Sequence, residues 1–330
     1  MLISPSVNII WHNATGTATT GTYDNLYTSV LTVAPTFNSS ATGSGPTGNP
    51  VPAGTPFGNS DFRAYNLNFI NDYLPYAAGP SLAISISYAN AGFYYCGLYS
   101  YQDTVYIGKL GNTYMFVLPH SPPVPSHHNP TSPHTDSTSL HSRYNSTIAG
   151  QTDFLYGFGT LWIASSTLSL RSCGGGIIAW KGTNTTFPNA YGAYVHDSRV
   201  LAANASIAAT IHGKCFLGRP WNAQTRAIFA NTYEDASIAP GGYEAWSSTD
   251  PRIGVNTTQA EYMVYGPGFN ETGREVAVRE GITIEMTAEQ YAPYSTLADV
   301  FQYPFTGEFG NTAWIDEEPE AVVELSLIHI

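Results

Sequence analysis

Charge is what this sequence has least of. Of its 330 residues, 12 are Lys or Arg and 24 are Asp or Glu, giving a formal charge of 12 − 24 = −12. Binding to nucleic acid depends on clustered cations that neutralise phosphates, so no nucleic-acid partner is expected. Cysteine is also scarce. Cys96, Cys173 and Cys215 are too few for a disulfide scaffold, show no zinc spacing, and leave at least one thiol unpaired. No apolar run approaches the roughly 20 residues that span a bilayer, so no membrane partner is expected. What remains is a chain that is 43% hydrophobic and 13% aromatic, enough to bury a core rather than stay disordered.

Asn13, Asn38, Asn145, Asn184, Asn204, Asn256 and Asn270 each begin an N-x-[ST] triplet, which points to a secreted glycoprotein. Residues 1–10 lack the charged start and apolar core of a signal peptide, so amino-terminal sequence, coils included, is expected to be missing. The terminal segment 325–330 reads as a non-native tail and is left out of fold reasoning.

Short strand-like runs recur and helical periodicity is hard to find. In 82–87 (LAISIS) large apolar and small residues alternate, as in a strand with one buried face. Similar runs begin near Phe62, Phe93, Thr104, Thr113, Thr160, Gly192 and Glu275. Such spacing suits a sandwich, a barrel or a β-solenoid, and periodicity alone does not choose among them. Residues 117–143 break the pattern, with six of the 22 prolines and five of the nine histidines. This stretch reads as an insertion, either a loop or a translated intron, because proline cannot donate to a ladder.

Four segments concentrate chemistry: Tyr101-Gln102-Asp103-Thr104, 150–157 (GQTDFLYG) with Asp153, 217–221 (LGRPW) with Arg219 and Trp221, and 265–268 (YGPG). In this order they resemble the pectin methylesterases (pectinesterases), particularly the fungal members. Supporting matches are 62–69 (FRAYNLNF), Gly92-Phe93-Tyr94 with Cys96, and 240–243 (PGGY) with Trp246. The resemblance runs from about residue 60 to about residue 315 and implies a single-domain, all-β, right-handed parallel β-helix over 1–324. Three strands per coil then give coils of about 20 residues, within the range of solenoid repeats.

The resemblance also implies roles. Asp153 is the expected nucleophile, and Asp103 the general acid and later the base. Gln102 is an oxyanion donor, and Arg219 keeps Asp153 ionised and oriented. Trp221, Phe154 and Tyr156 are expected to contact sugar. The implied activity is hydrolysis of methyl-esterified pectin (homogalacturonan) by a secreted monomer, without metal or organic cofactor. A catalytically weak or inactive glycan-binding relative is the alternative, and a lyase or glycosidase on a similar solenoid a third reading.

Two departures stand out. The family usually carries a second oxyanion glutamine 22 residues before Gln102, and 102 − 22 = 80 is Pro80 here, which has no side-chain donor and so puts full activity in question. The aspartates are 153 − 103 = 50 residues apart, where the family places them one coil apart. The insertion accounts for nearly all of the excess.

Overall fold

The computed structural model describes residues 7–15, 24–42, 53–73, 79–116, 146–185 and 187–319. The stretch 117–143 and the tail 325–330 therefore lie outside the described residues. Three sheets, in which every strand pair is parallel, are filled in rotation as the chain advances. One begins with Val7–Trp11 and continues through Leu67–Asn71, Gly97–Tyr99 and Thr147–Gly150 to Tyr233–Glu234. The second holds Leu31–Val33, Ile84–Ile86, Val105–Ile107, Leu155–Gly157, Gly176–Trp180 and Phe216–Pro220. The third runs from Phe62–Tyr65 through Asn90–Tyr94, Asn112–Phe116 and Thr160–Ala164 to Ile284–Glu285. This is a parallel β-helix, the architecture expected from the motifs.

The coils close because certain corners repeat a left-handed backbone. Between the third sheet and the first, Asn66, Tyr95, Ser165, Asp197, Asn231 and Met263 all have φ between 47° and 56°. One such residue turns the chain sharply enough for the next strand to start almost at once. Asn and Asp tolerate this region best among residues with a Cβ.

Inside, apolar side chains stack coil on coil. The column Ile84, Val105, Leu155, Ile178 is fully buried. Burying a Leu or Ile side chain contributes roughly 1.5–3 kcal/mol, so this continuous stack holds the coils in register. The outward column of the same sheet is Ser85, Tyr106, Tyr156, Ala179, Arg219. Ser85 is fully buried too, so both faces of 82–87 are covered, not one.

Cys173 and Cys215 form a disulfide with 5.0 Å between their Cα atoms, and Cys96 is free and buried. The bridge ties together the chain entering Gly176–Trp180 and the chain entering Phe216–Pro220. The run near Glu275 is not a strand. It lies in the helix Glu271–Arg279, capped by Asn270, whose side chain accepts from the Gly273 N–H at 2.7 Å. Val276 and Val278, which supply the period-two signal, are exposed, while Arg274 and Ala277 face inward at helical spacing.

Arg274 is fully buried and every guanidinium nitrogen is bonded. Nε and Nη2 reach Glu261 at 2.7 and 2.8 Å, Nη2 also reaches Glu234 at 2.8 Å, and Nη1 donates to the carbonyls of Ala239 and Pro240. The cation pins the helix to the last coils.

Candidate active site

The site lies on the outer face of the second sheet, at its upstream corner. Asp103 and Asp153 each stand two residues before a strand, and the pairing Val105 with Leu155 puts them in the same column of successive coils. Fifty residues of sequence thus reduce to one strand spacing of roughly 4.8 Å. The Asp103 N–H donates to Thr152 O at 3.0 Å, and the Asp153 N–H to Gly176 O at 2.7 Å. Both aspartates take the left-handed conformation, φ 61° and 46°. Single residues held in that region cluster at functional sites.

One coil further on, Gly175 repeats the turn at φ +62°. A Cβ there would stand 2.6 Å from Asp153 Oδ1 and 2.7 Å from the Arg219 guanidinium. Glycine is required at this corner on both counts. The Gly176 N–H donates to Asp153 Oδ1 at 3.1 Å. Sequence reasoning passed over the run Gly174-Gly175-Gly176, although three consecutive glycines inside a strand pattern signal close backbone approach.

Arg219 grips Asp153 with two bonds, Nε to Oδ1 at 2.9 Å and Nη2 to Oδ2 at 2.6 Å. The small Ala179 separates Arg219 from Tyr156 in the outward column, leaving room for the guanidinium. Arg219 in turn packs on the Trp246 ring at 4.0 Å, and Arg252 lies 4.1 Å from the same ring.

Two buried carboxyls side by side cannot hold their protons equally. Burial pushes Asp153 upward, but the Arg219 bonds and charge and the Gly176 N–H oppose it. Asp103 is raised well above the usual carboxylate range, first by burial and then by the Asp153 charge, with weaker opposition from Arg219 and from a bond to Gln102. The environments separate the pair in the sense that an acid and a nucleophile need.

Tyr156 and Trp221 form an aromatic cluster with Leu82, Tyr106, Phe158 and Ala179. The Lys181 ammonium lies 4.0 Å from the Trp221 ring centre and 4.5 Å from that of Phe158. Burial lowers its pKa to about 8. Phe154 does not join them. It is fully buried in the main core and cannot contact substrate. The left-handed turn at Asp153 breaks the strand alternation, so Phe154 and Leu155 both face inward.

The register also relocates the question raised by Pro80. Ile84 pairs with Val105, so Ser81 stands beneath Gln102, and the Ser81 N–H donates to Gln102 O at 3.0 Å. The Ser81 hydroxyl is engaged with that of Ser100 at 2.7 Å. Pro80 has no side-chain donor, and the Ser81 hydroxyl is turned to Ser100 rather than to the aspartates.

The Pectinesterase family profile matches residues 136–299. A probable pectinesterase/pectinesterase inhibitor of Arabidopsis thaliana is 28% identical over 76% of this chain and 38% of its own length. A probable pectinesterase A of Neosartorya fischeri is 25% identical over 65% of this chain and 53% of its own. The chain thus spans about half or less of the curated relatives it matches. Among solved structures, the pectin methylesterase from carrot superposes with a TM-score of 0.57 over 87% of this chain and 70% of that one, at 18% identity. Pectin methylesterase PemA from Erwinia chrysanthemi gives 0.57 over 90% and 80%, also at 18% identity. At that identity the superpositions establish the fold, and the profile and the curated relatives together make this chain similar to the pectinesterase family.

Proposed function

We propose that the protein is a secreted esterase that removes methyl groups from homogalacturonan, leaving free carboxylate and methanol. The observation that carries this reading is the Asp153–Arg219 pair stacked one coil from a second, more proton-retentive carboxyl, Asp103. The Asp153 carboxylate attacks the ester carbonyl, and the carbonyl electrons move to oxygen, where Gln102 donates its amide. Collapse expels methoxide, which takes the Asp103 proton and leaves as methanol. The resulting anhydride is cleaved by water, whose proton passes to the Asp103 carboxylate. Asp153 is freed as carboxylate and Asp103 is protonated again, so the cycle balances without another reactant. Trp221 and Tyr156 wall the sugar site.

Of the six N-x-[ST] asparagines among the described residues, Asn38, Asn184, Asn204, Asn256 and Asn270 are exposed, which supports glycosylation and secretion. No helix among the described residues is long and apolar enough to cross a membrane. The monomeric state remains part of the proposal.

The direct test is methanol release from highly methylated pectin. Failure to release any, with binding retained, would leave a glycan-binding protein. Gln102→Ala is expected to lower turnover by about 10²–10³-fold, the worth of one oxyanion donor; turnover within threefold of wild type removes Gln102 from that role. Activity should follow a bell in pH. It falls at low pH as Asp153 takes a proton, and at high pH as Asp103 loses one. Because burial raises both groups, both limbs should lie above the ordinary carboxylate range. A kcat/KM profile flat through that region would contradict the assignment.

A further inference from the structure

Asp103 is touched by a residue far from every motif. Before Leu31–Val33 the chain makes a short 3-10 turn, Asn25–Thr28, fixed by Asp24. The Asp24 side chain accepts from the Leu26 N–H at 3.0 Å and the Thr42 N–H at 2.9 Å. Asn25 opens the turn and reaches Asp103. Its Nδ2 lies 3.2 Å from Asp103 Oδ2 and 3.4 Å from the Tyr156 hydroxyl.

Neighbouring bonds orient the amide. Pro80 O already accepts the Thr15 N–H at 2.9 Å. The Thr15 hydroxyl lies 3.0 Å from Asn25 Oδ1 and 3.2 Å from that carbonyl, and its proton is shared between these two acceptors. The carbonyl end of the amide faces Thr15 and its NH2 end faces Asp103. The turn is anchored to the coil carrying Pro80: Thr28 Oγ1 donates to Asn25 O at 2.8 Å and accepts the Leu82 N–H at 2.9 Å.

We propose that Asn25 is the positioning residue for Asp103: its amide, delivered by the segment docked on Pro80, holds the Asp103 carboxyl in place for proton transfer. The inference rests on Asp103 being the acid and base of the esterase. Gln102, Asp153, Arg219 and the Tyr156 phenol also face Asp103. Against the burial and the Asp153 charge that raise it, the Asn25 N–H favours the ionised form. Removing the amide should therefore raise the Asp103 pKa and move the alkaline limb of the activity profile upward.

The test compares wild type, Asn25→Ala, Asn25→Gln and Thr15→Val for methanol release across pH, with melting temperatures. Asn25→Ala is expected to lower kcat about ten- to a hundredfold, the share of a hydrogen bond to a charged group, with KM within twofold and the alkaline limb displaced upward. Thr15→Val, which frees the amide to rotate, should move both in the same direction but less. Asn25→Gln should recover part of the loss. An Asn25→Ala profile that superposes on wild type overturns the proposal. So does a kcat loss that tracks melting temperature with the limb unmoved. Carboxyl 13C titration of Asp103 in wild type and Asn25→Ala reads the same contact without substrate. An Asp103 pKa that rises in Asn25→Ala, beside a wild type that releases no methanol, would sink the esterase reading and keep the contact. An unchanged pKa in an active enzyme would do the opposite.

Discussion

Asp153→Asn is expected to abolish methanol release, by about 10⁴-fold or more, as loss of a nucleophile commonly does, while pectin affinity stays close to wild type. The substitution keeps shape and volume at a buried corner. It removes the charge that makes the oxygen nucleophilic and that pairs with Arg219 in two bonds. With the amide oxygen in the place of Oδ1 the Gly176 N–H and the Arg219 Nε–H keep their acceptor and only the Arg219 Nη2 bond is lost, so the corner should hold its turn. The check is methanol release beside a pectin-binding isotherm and a melting curve. Turnover within tenfold of wild type would remove Asp153 from the nucleophile's role. Lost binding together with lost folding would show a structural aspartate instead.

The largest expected loss of stability comes from the other end of the molecule. Arg274→Met should destabilise the fold by about 3–5 kcal/mol, because it leaves Glu234 and Glu261 buried without their cation. Glu234 is already raised well above its usual range, first by burial and then by the Glu261 charge, and Arg274 opposes both. With that opposition gone, Glu234 retains its proton more strongly when folded. A carboxyl with a raised folded pKa lends stability that is lost as pH rises through that value. The gap between variant and wild type should therefore widen from acid toward neutral pH in denaturant titrations. A loss below 1 kcal/mol, where about 3 is the least expected, would mean the triad is dispensable.

The parts of the site legible in the sequence were those whose chemistry is carried by short, ordered motifs. Asp103, Asp153 and Arg219 come together where the resemblance implied, although the residues between the aspartates more than double a coil. Tyr156 and Trp221 lie in one aromatic cluster, while Phe154 turned inward. Nothing in its neighbours shows that, because the inversion arises from the backbone angle at Asp153. The alternation at Glu275 misled for a related reason: Val276 and Val278 give a period of two, yet the capping side chain of Asn270 starts a helix. Asn25 left no local signal at all. Its contact with Asp103 spans 78 residues and exists only once the coils are stacked.

The stacking of Asp103 on Asp153 has a consequence for how this lineage can change length. The distance between the two carboxyls is set by the gap between neighbouring strands, as the rungs of a ladder set their own spacing. The amount of chain paid out between rungs does not enter. Here the strands Asn112–Phe116 and Thr147–Gly150 lie far apart in sequence, yet Thr147 pairs with Gly97 and Thr160 with Asn112 in the ordinary register of successive coils. Insertions and deletions at that point are therefore neutral with respect to the site's geometry. A single residue added between Gln102 and Val105 would shift the corner itself. Variation in length among related chains should accordingly gather between rungs, and the two-residue lead from each aspartate to its strand should be the most rigid interval in the molecule.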